Sequence, residues 1–145
     1  MNKAEKCVQI IKGDIENKSV LEVACGGAEF SLAASAYAQN VSCVDIDDSR
    51  LNNQITQSTV HFEIMDARKM DYTDESFDTV VIYNALFHIK DYWGEIEKEC
   101  KRVLKNDGTI YVIATWKLDG NLMAEMFLDE IEKVADFSMV KLVKE

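Results

Sequence analysis

A chain of 145 residues, 48% of them hydrophobic, is enough for one domain with a single core, and a second domain is not expected. No run of about 18 apolar residues is present to span a bilayer, and the N-terminus, with Asn2, Lys3, Glu5 and Lys6, lacks the apolar centre of a secretory signal, so a cytoplasmic protein without membrane attachment is expected. A net charge of -10 repels polyanions and disfavours nucleic acid as a partner, while Cys7, Cys25, Cys43 and Cys100 fit neither a zinc pattern nor a disulfide framework, so free thiols and no metal are expected.

Ala4, Cys7, Val8, Ile11 and Ile15 recur at helical spacing, which predicts a short N-terminal helix ending near Gly13 and Asp14. Ser19 to Ala24 is a β-branched and leucine run closed by Cys25-Gly26-Gly27, and Ala28 to Gln39 is alanine-rich, so the order is strand, tight turn, helix. Val41 to Asp45 predicts a second strand, Ser49 to Gln54 a short helix, Val60 to Ile64 a third strand and Phe77 to Tyr83 a fourth. Asp91 suits the N-cap of a helix with Trp93, Ile96, Cys100, Val103 and Leu104 on one face, broken at Asn106-Asp107-Gly108. Thr109 to Thr115 is a fifth strand. Leu122, Met123, Met126, Phe127, Ile131 and Val134 predict an amphipathic helix, and Phe137 to Val143 a last strand. Such alternation is the pattern of crossover units and of a parallel sheet covered on both faces.

Open α/β sheets bind ligands outside the carboxyl ends of their strands, which directs the functional question to Glu22-Val23-Ala24-Cys25-Gly26-Gly27-Ala28. Small residues at Ala24, Gly26, Gly27 and Ala28 let a ligand approach the main chain, and the helix beginning at Ala28 points unpaired N–H groups at the same space. A dinucleotide fingerprint counted from Ala24 would place Glu29 at its third small position, where a pyrophosphate would meet a carboxylate. Asp45 ends the second strand 19 residues beyond Gly26, where an acidic side chain can take both hydroxyls of a ribose. Asp66-Ala67, after the third strand, could meet an adenine edge and face.

These residues resemble the class I S-adenosylmethionine-dependent methyltransferases, in particular their small-molecule type 11 branch. Val20 to Ala28 is similar to that family's first motif, Val44-Asp45-Ile46-Asp47 to its ribose-binding strand end, and Phe62 to Ala67 with Asp74 to Asp78 to the stretch that reaches adenine and opens the fourth strand. Ala85 to Ile89 and Arg102 to Gly108 resemble the motifs that follow, so the likeness runs over about residues 19 to 116 in the expected order. It departs at Ala28, where glycine is usual, at Asn106-Asp107-Gly108 in place of a proline-glycine-glycine turn, and at Phe87-His88 in place of two histidines. Tyr83-Asn84-Ala85-Leu86 lacks the Asn-Pro-Pro-Tyr type motif of nucleic-acid amino methyltransferases.

The resemblance implies a three-layer α/β sandwich around an open, mostly parallel, Rossmann-like sheet, with order near 3-2-1-4-5 and a short C-terminal strand at the edge. One S-adenosylmethionine-binding domain would occupy residues 1–145. Glu22 would organise the methionine amino group, with Ala24, Cys25, Gly26 and Gly27 passing beneath the methionine part. Asp45 would accept both ribose hydroxyls, Ile46 and Ala67 would sandwich the adenine, Asp66 would accept its exocyclic amine, and oxygens of Tyr83 and Asn84 would face the methionine end. The implied reaction is in-line methyl transfer to a small-molecule acceptor, leaving S-adenosylhomocysteine; a non-catalytic binding subunit or sensor is the alternative.

If the acceptor must lose a proton, His88, which follows the fourth strand, is the candidate base, a structural hydrogen-bonding role being the other reading. Cys25 has no paired base and reads as a packed turn thiol, and His61 has no second ligand at metal spacing. Trp116 and Lys117, after the fifth strand, are candidates to line the acceptor site, a core or rim tryptophan being the other reading, whereas Met123, Met126 and Phe127 read as core. Family members commonly end in a two-strand hairpin, and here only Phe137 to Val143 is expected, which would leave an exposed edge and suggests a homodimer.

Overall fold

The structure is a computed structural model that describes residues 1–144; Glu145, the last residue of the expected domain, lies outside the described residues. Its helices are α1 (Lys3–Ile10), α2 (Glu29–Ala34), α3 (Leu86–Ile89), α4 (Trp93–Val103) and α5 (Lys117–Phe127). Its strands are β1 (Ser19–Val23), β2 (Asn40–Asp45), β3 (His61–Ile64), β4 (Phe77–Tyr83), β5 (Leu104–Ala114), β6 (Glu132–Val134) and β7 (Phe137–Val143). They form one sheet of order β3-β2-β1-β4-β5-β7-β6. Strands β1 to β5 pair in parallel, and β7 runs antiparallel to β5 and to β6.

Alternate residues of the central strands feed two separate cores, which is why β1 and β4 read as near-continuous apolar runs. Leu21, Val80, Ile82, Ile110 and Val112 pack with Leu86, Ile96, Cys100, Val103 and Met123 of α3 to α5 on one face. Val20, Cys43, Val81, Tyr111 and Ile113 pack with Cys7 and Val8 of α1 and Phe30 and Ala34 of α2 on the other. A capping box starts α1: the Asn2 side chain accepts the Glu5 N–H at 2.8 Å while the Glu5 carboxylate accepts the Asn2 N–H at 2.9 Å. No helix among the described residues is long and apolar enough to cross a membrane.

Several boundaries differ from the sequence expectation. The helix expected to run from Ala28 to Gln39 ends at Ala34, because the Ser35 hydroxyl donates to the Leu32 carbonyl at 2.7 Å and gives the chain a local alternative to another helical turn. The helix expected at Ser49 to Gln54 is a 3-10 turn at Asn53–Gln57, capped by the Asn52 side chain. Asp91 does not cap α4; it lies in the 3-10 turn Lys90–Tyr92 that precedes it.

Asn106-Asp107-Gly108 does not end a helix either. It is a bulge inside β5, where the register shifts between the pairs Phe77 with Leu104 and Thr79 with Thr109. At the C-terminus the expected long helix stops at Phe127, and Leu128 turns the chain at φ 40°. The released residues become β6, joined to β7 through Ala135 at φ 52°, so the sheet has the two-strand hairpin that was not expected. The edge of β7 that prompted the homodimer expectation is covered over Phe137 to Met139 by β6.

The bulge depends on Gly108, because a Cβ there would lie 2.5 Å from the Leu104 side chain and 2.8 Å from the Asp78 carbonyl oxygen. Gly108→Ala is therefore expected to destabilise the fold by about 1–3 kcal/mol, the usual range for overpacking, read as a lower urea midpoint with an unchanged slope.

Candidate functional site

Beyond Val23 the chain passes through left-handed backbone at Ala24 (φ 57°), Gly26 (φ 55°) and Ala28 (φ 66°) before α2 begins. Two of these are alanines, for which the conformation costs roughly 1–2 kcal/mol each. The turn is held from the neighbouring strand: Cys25 N–H donates to the Val44 carbonyl at 3.0 Å, and Gly26 N–H donates to the Asp45 carboxylate at 2.8 Å. The second carboxylate oxygen of Asp45 meets the Asp47 N–H at 3.3 Å, and the Asp45 carbonyl accepts the Met65 N–H at 2.8 Å. One residue thus ties together the carboxyl ends of β1, β2 and β3.

A cavity of about 390 Å³ opens at those ends, within the size range of small-molecule sites. Ala24, Gly26, Asp45, Ile46, Asp66, Ala67 and His88, all singled out from the sequence, line it together. Arg50, Met65, Arg68, Ile89 and Tyr92 line it too and were not anticipated. They sit in loops, a 3-10 turn or, for Ile89, the four-residue α3, segments too irregular or short for an apolar period to mark a side chain as facing inward. Ser49 donates its N–H (2.9 Å) and hydroxyl (2.7 Å) to Asp47, and the turn so made precedes Arg50, whose Nη2 lies 3.2 Å from where a Gly26 Cβ would stand.

The lining mixes charges. Asp66 forms an Asx-type turn by accepting the Arg68 N–H at 2.9 Å, and its other oxygen takes the Arg68 guanidinium at 2.8 Å. That hydrogen bonding holds the Asp66 carboxyl below its ordinary range. The same guanidinium lies 4.3 Å above the ring of Tyr92, so Arg68 bridges the loop after β3 and the turn before α4.

Glu22, Cys25, Gly27, Tyr83 and Asn84 do not line the cavity. Glu22 points to the opposite face of the sheet, is 1% exposed, and accepts both the Ser31 hydroxyl (2.6 Å) and the Ser31 N–H (3.1 Å) on one oxygen, so it anchors α2. Burial, partly offset by the Ser31 hydrogen bonds, pushes its carboxyl well above the usual range. Cys25 is buried, and its hydrogen bond with Cys43, followed by burial, pushes its thiol far up, as suits a packed thiol. Tyr83 packs on Phe30 with ring centroids 5.6 Å apart. Asn84 spends its side chain on Thr115, donating to the hydroxyl and accepting the N–H, both at 2.8 Å, which ties the end of β4 to that of β5. Trp116 also lies outside the cavity lining; its indole N–H donates to Asp119 at 2.5 Å.

The Glu22 arrangement predicts a pH dependence. In the unfolded chain the carboxyl ionises at its ordinary value, whereas the folded protein retains the proton to higher pH, so the wild type loses stability as pH rises between the two. Glu22→Gln keeps an oxygen for both Ser31 donors and carries no such penalty. Its urea midpoint is expected to exceed that of the wild type at about pH 8 and to converge on it as pH falls toward about 4.5. A gap that stays constant with pH would contradict this assignment.

Comparison with known proteins agrees with the geometry. A family model described as a methyltransferase domain matches residues 21–112. The demethylmenaquinone methyltransferase of Leptospira interrogans is 30% identical over 134 residues, covering 86% of this chain and 50% of that protein. A crystal structure of a protein from Pyrococcus horikoshii superposes with a TM-score of 0.66 at 30% identity, covering 89% of this chain and 60% of that one. A methyltransferase structure from Aquifex aeolicus gives a TM-score of 0.72 at 15% identity, over 96% of this chain and 88% of the other, a likeness of fold alone. The chain spans about half the length of the curated relatives it matches.

Proposed function

The chain belongs to the class I S-adenosylmethionine-dependent methyltransferases, matching their methyltransferase-domain model over residues 21–112, and from that premise we propose that it transfers a methyl group from S-adenosylmethionine to a small-molecule acceptor. The observation that carries the proposal is the cavity in which the bare Gly26 backbone and the Asp45 carboxylate stand side by side, bonded at 2.8 Å. The donor set fits the cofactor's chemistry: a carboxylate for a ribose diol, apolar walls for an adenine, and exposed main chain for the methionine part.

S-adenosylmethionine, when bound, supplies a methyl group already activated by its sulfonium, so that positioning, worth about 7–11 kcal/mol, carries most of the catalysis. Asp45 accepts the ribose hydroxyls on lone pairs that the Gly26 and Asp47 amides leave free. Ile46, an isoleucine 72% exposed on the cavity wall, and Ala67 offer apolar faces to the adenine. Asp66 accepts the exocyclic amine beside Arg68. Main-chain groups of Ala24 and Gly26, which line the cavity, would lie under the methionine part, with Cys25 and Gly27 shaping the turn behind them. The Tyr83 ring and the Asn84 amide are committed elsewhere and neither residue lines the cavity, so their role is to hold the ends of β4 and β5 beside it. His88 takes a proton from an acceptor that must lose one. Demethylmenaquinone, which the Leptospira relative's name carries, is the first acceptor to assay.

Titration calorimetry is expected to give binding of S-adenosylhomocysteine and none of NAD. Asp45→Asn, which loses the charged acceptor, should weaken that binding about 10- to 100-fold. Labelled methyl transfer into a cell extract should accompany binding. Binding of NAD in preference would overturn the proposal, and cofactor affinity with no labelled product would replace catalysis by the role of a binding subunit.

A further inference from the structure

We infer that Asp119, outside the cavity lining, is the positioning residue for the cavity wall formed by α3. This rests on the cofactor reading above. Asp119 lies in the first turn of α5 and is fully buried, at 0% exposure. A buried carboxylate is expensive unless its oxygens are hydrogen-bonded. Here each oxygen serves a different segment: Oδ1 accepts the Phe87 N–H at 2.8 Å, and Oδ2 accepts the Trp116 indole N–H at 2.5 Å.

Phe87 belongs to α3, a helix of four residues that has no side-chain cap at Ala85. An isolated helix needs about 12–15 residues to be even marginal in water, so α3 takes its order from outside contacts. Its first-turn amides are the groups left without intrahelical acceptors, and Asp119 supplies one from a different element. The two residues after Phe87, His88 and Ile89, line the cavity. Their placement therefore depends on a buried carboxylate that lies outside the cavity lining. Through its other oxygen the same carboxylate pins the indole of Trp116, which is 45% exposed and would otherwise be free to reorient.

The geometry makes an unusual rescue possible. In Asp119→Asn the amide presents one oxygen to two N–H donors, so either Phe87 or Trp116 faces an N–H. That variant is expected to bind S-adenosylhomocysteine about tenfold more weakly, the loss typical of a hydrogen bond to a charged group. It should also move the backbone resonances of His88 and Ile89 and shorten the exchange lifetime of the Phe87 amide. Adding Trp116→Phe removes the competing donor, so the double variant should recover both the affinity and the Phe87 protection.

A purely structural Asp119 would lower the melting temperature without that recovery. The inference is overturned if Asp119→Asn leaves the Phe87, His88 and Ile89 signals in place, or if the double variant stays as impaired as the single one. If Asp119→Asn does not fold, the wild type decides: S-adenosylhomocysteine should shift the Trp116 indole resonance although that ring does not line the cavity, and an unmoved signal at saturation counts against Asp119. If the wild type binds no S-adenosylhomocysteine, the cofactor reading fails, while the amide signals of the Asp119 variants still decide the link from Asp119 to α3.

Discussion

The hydrogen bond from the Gly26 amide to the Asp45 carboxylate is the contact on which the site depends. Without a partner on β2, the turn after β1 would have to hold two alanines and a glycine in left-handed backbone by its own means. A charge-assisted bond of 2.8 Å, with the Cys25 amide on the Val44 carbonyl beside it, offsets that strain and sets the turn against the strand end that faces the ligand. Backbone strain of this kind concentrates where a chain must expose its amides, and a ligand site is such a place.

The sheet divides its two faces between different tasks. On the face of α1 and α2, Glu22 and Ser31 form a buried pair that fixes the helix following the ligand turn. On the face of α3 to α5, short helices and 3-10 turns bring His88, Ile89 and Tyr92 to the cavity. The first face is rigid through packing and supports the turn. The second is built from segments too short to order themselves, and it relies on side-chain ties such as Asp119 to Phe87, Arg102 to the Tyr72 carbonyl at 2.8 Å and Asn84 to Thr115.

Charge within the cavity follows the same economy of local ties. Asp47 is engaged by Ser49 and Asp66 by Arg68, which leaves Asp45 as the carboxylate held mainly by main-chain amides. Arg68, stacked on Tyr92, links two loops that no strand pairing joins. The loops around the cavity are therefore connected by side chains, whereas the strands beneath them are connected by the sheet.

The amino-acid order by itself determined the alternation of strands and helices, because β-branched runs and helical apolar periods are local signals, and it determined the ligand turn, because the small residues at Ala24, Gly26, Gly27 and Ala28 leave the main chain open to a ligand. The carboxylates at Asp45 and Asp66 were legible because the first ends and the second closely follows a strand that the pattern marks. Tertiary structure alone decided which side chains face the cavity. Glu22 and Ala24, two residues apart, would share a face on a continuous strand, but β1 ends at Val23 and the left-handed Ala24 turns the chain, so Ala24 lines the cavity while Glu22 faces α2. Asn84 and Tyr83 are drawn to partners 31 and 53 residues away in the chain, on β5's far end and α2. Arg50, Arg68 and Tyr92 lie in irregular segments whose direction is set by contacts between distant elements. The C-terminal hairpin was hidden because Glu132 to Val134 continue a helical apolar period, and only pairing with β7 makes them a strand.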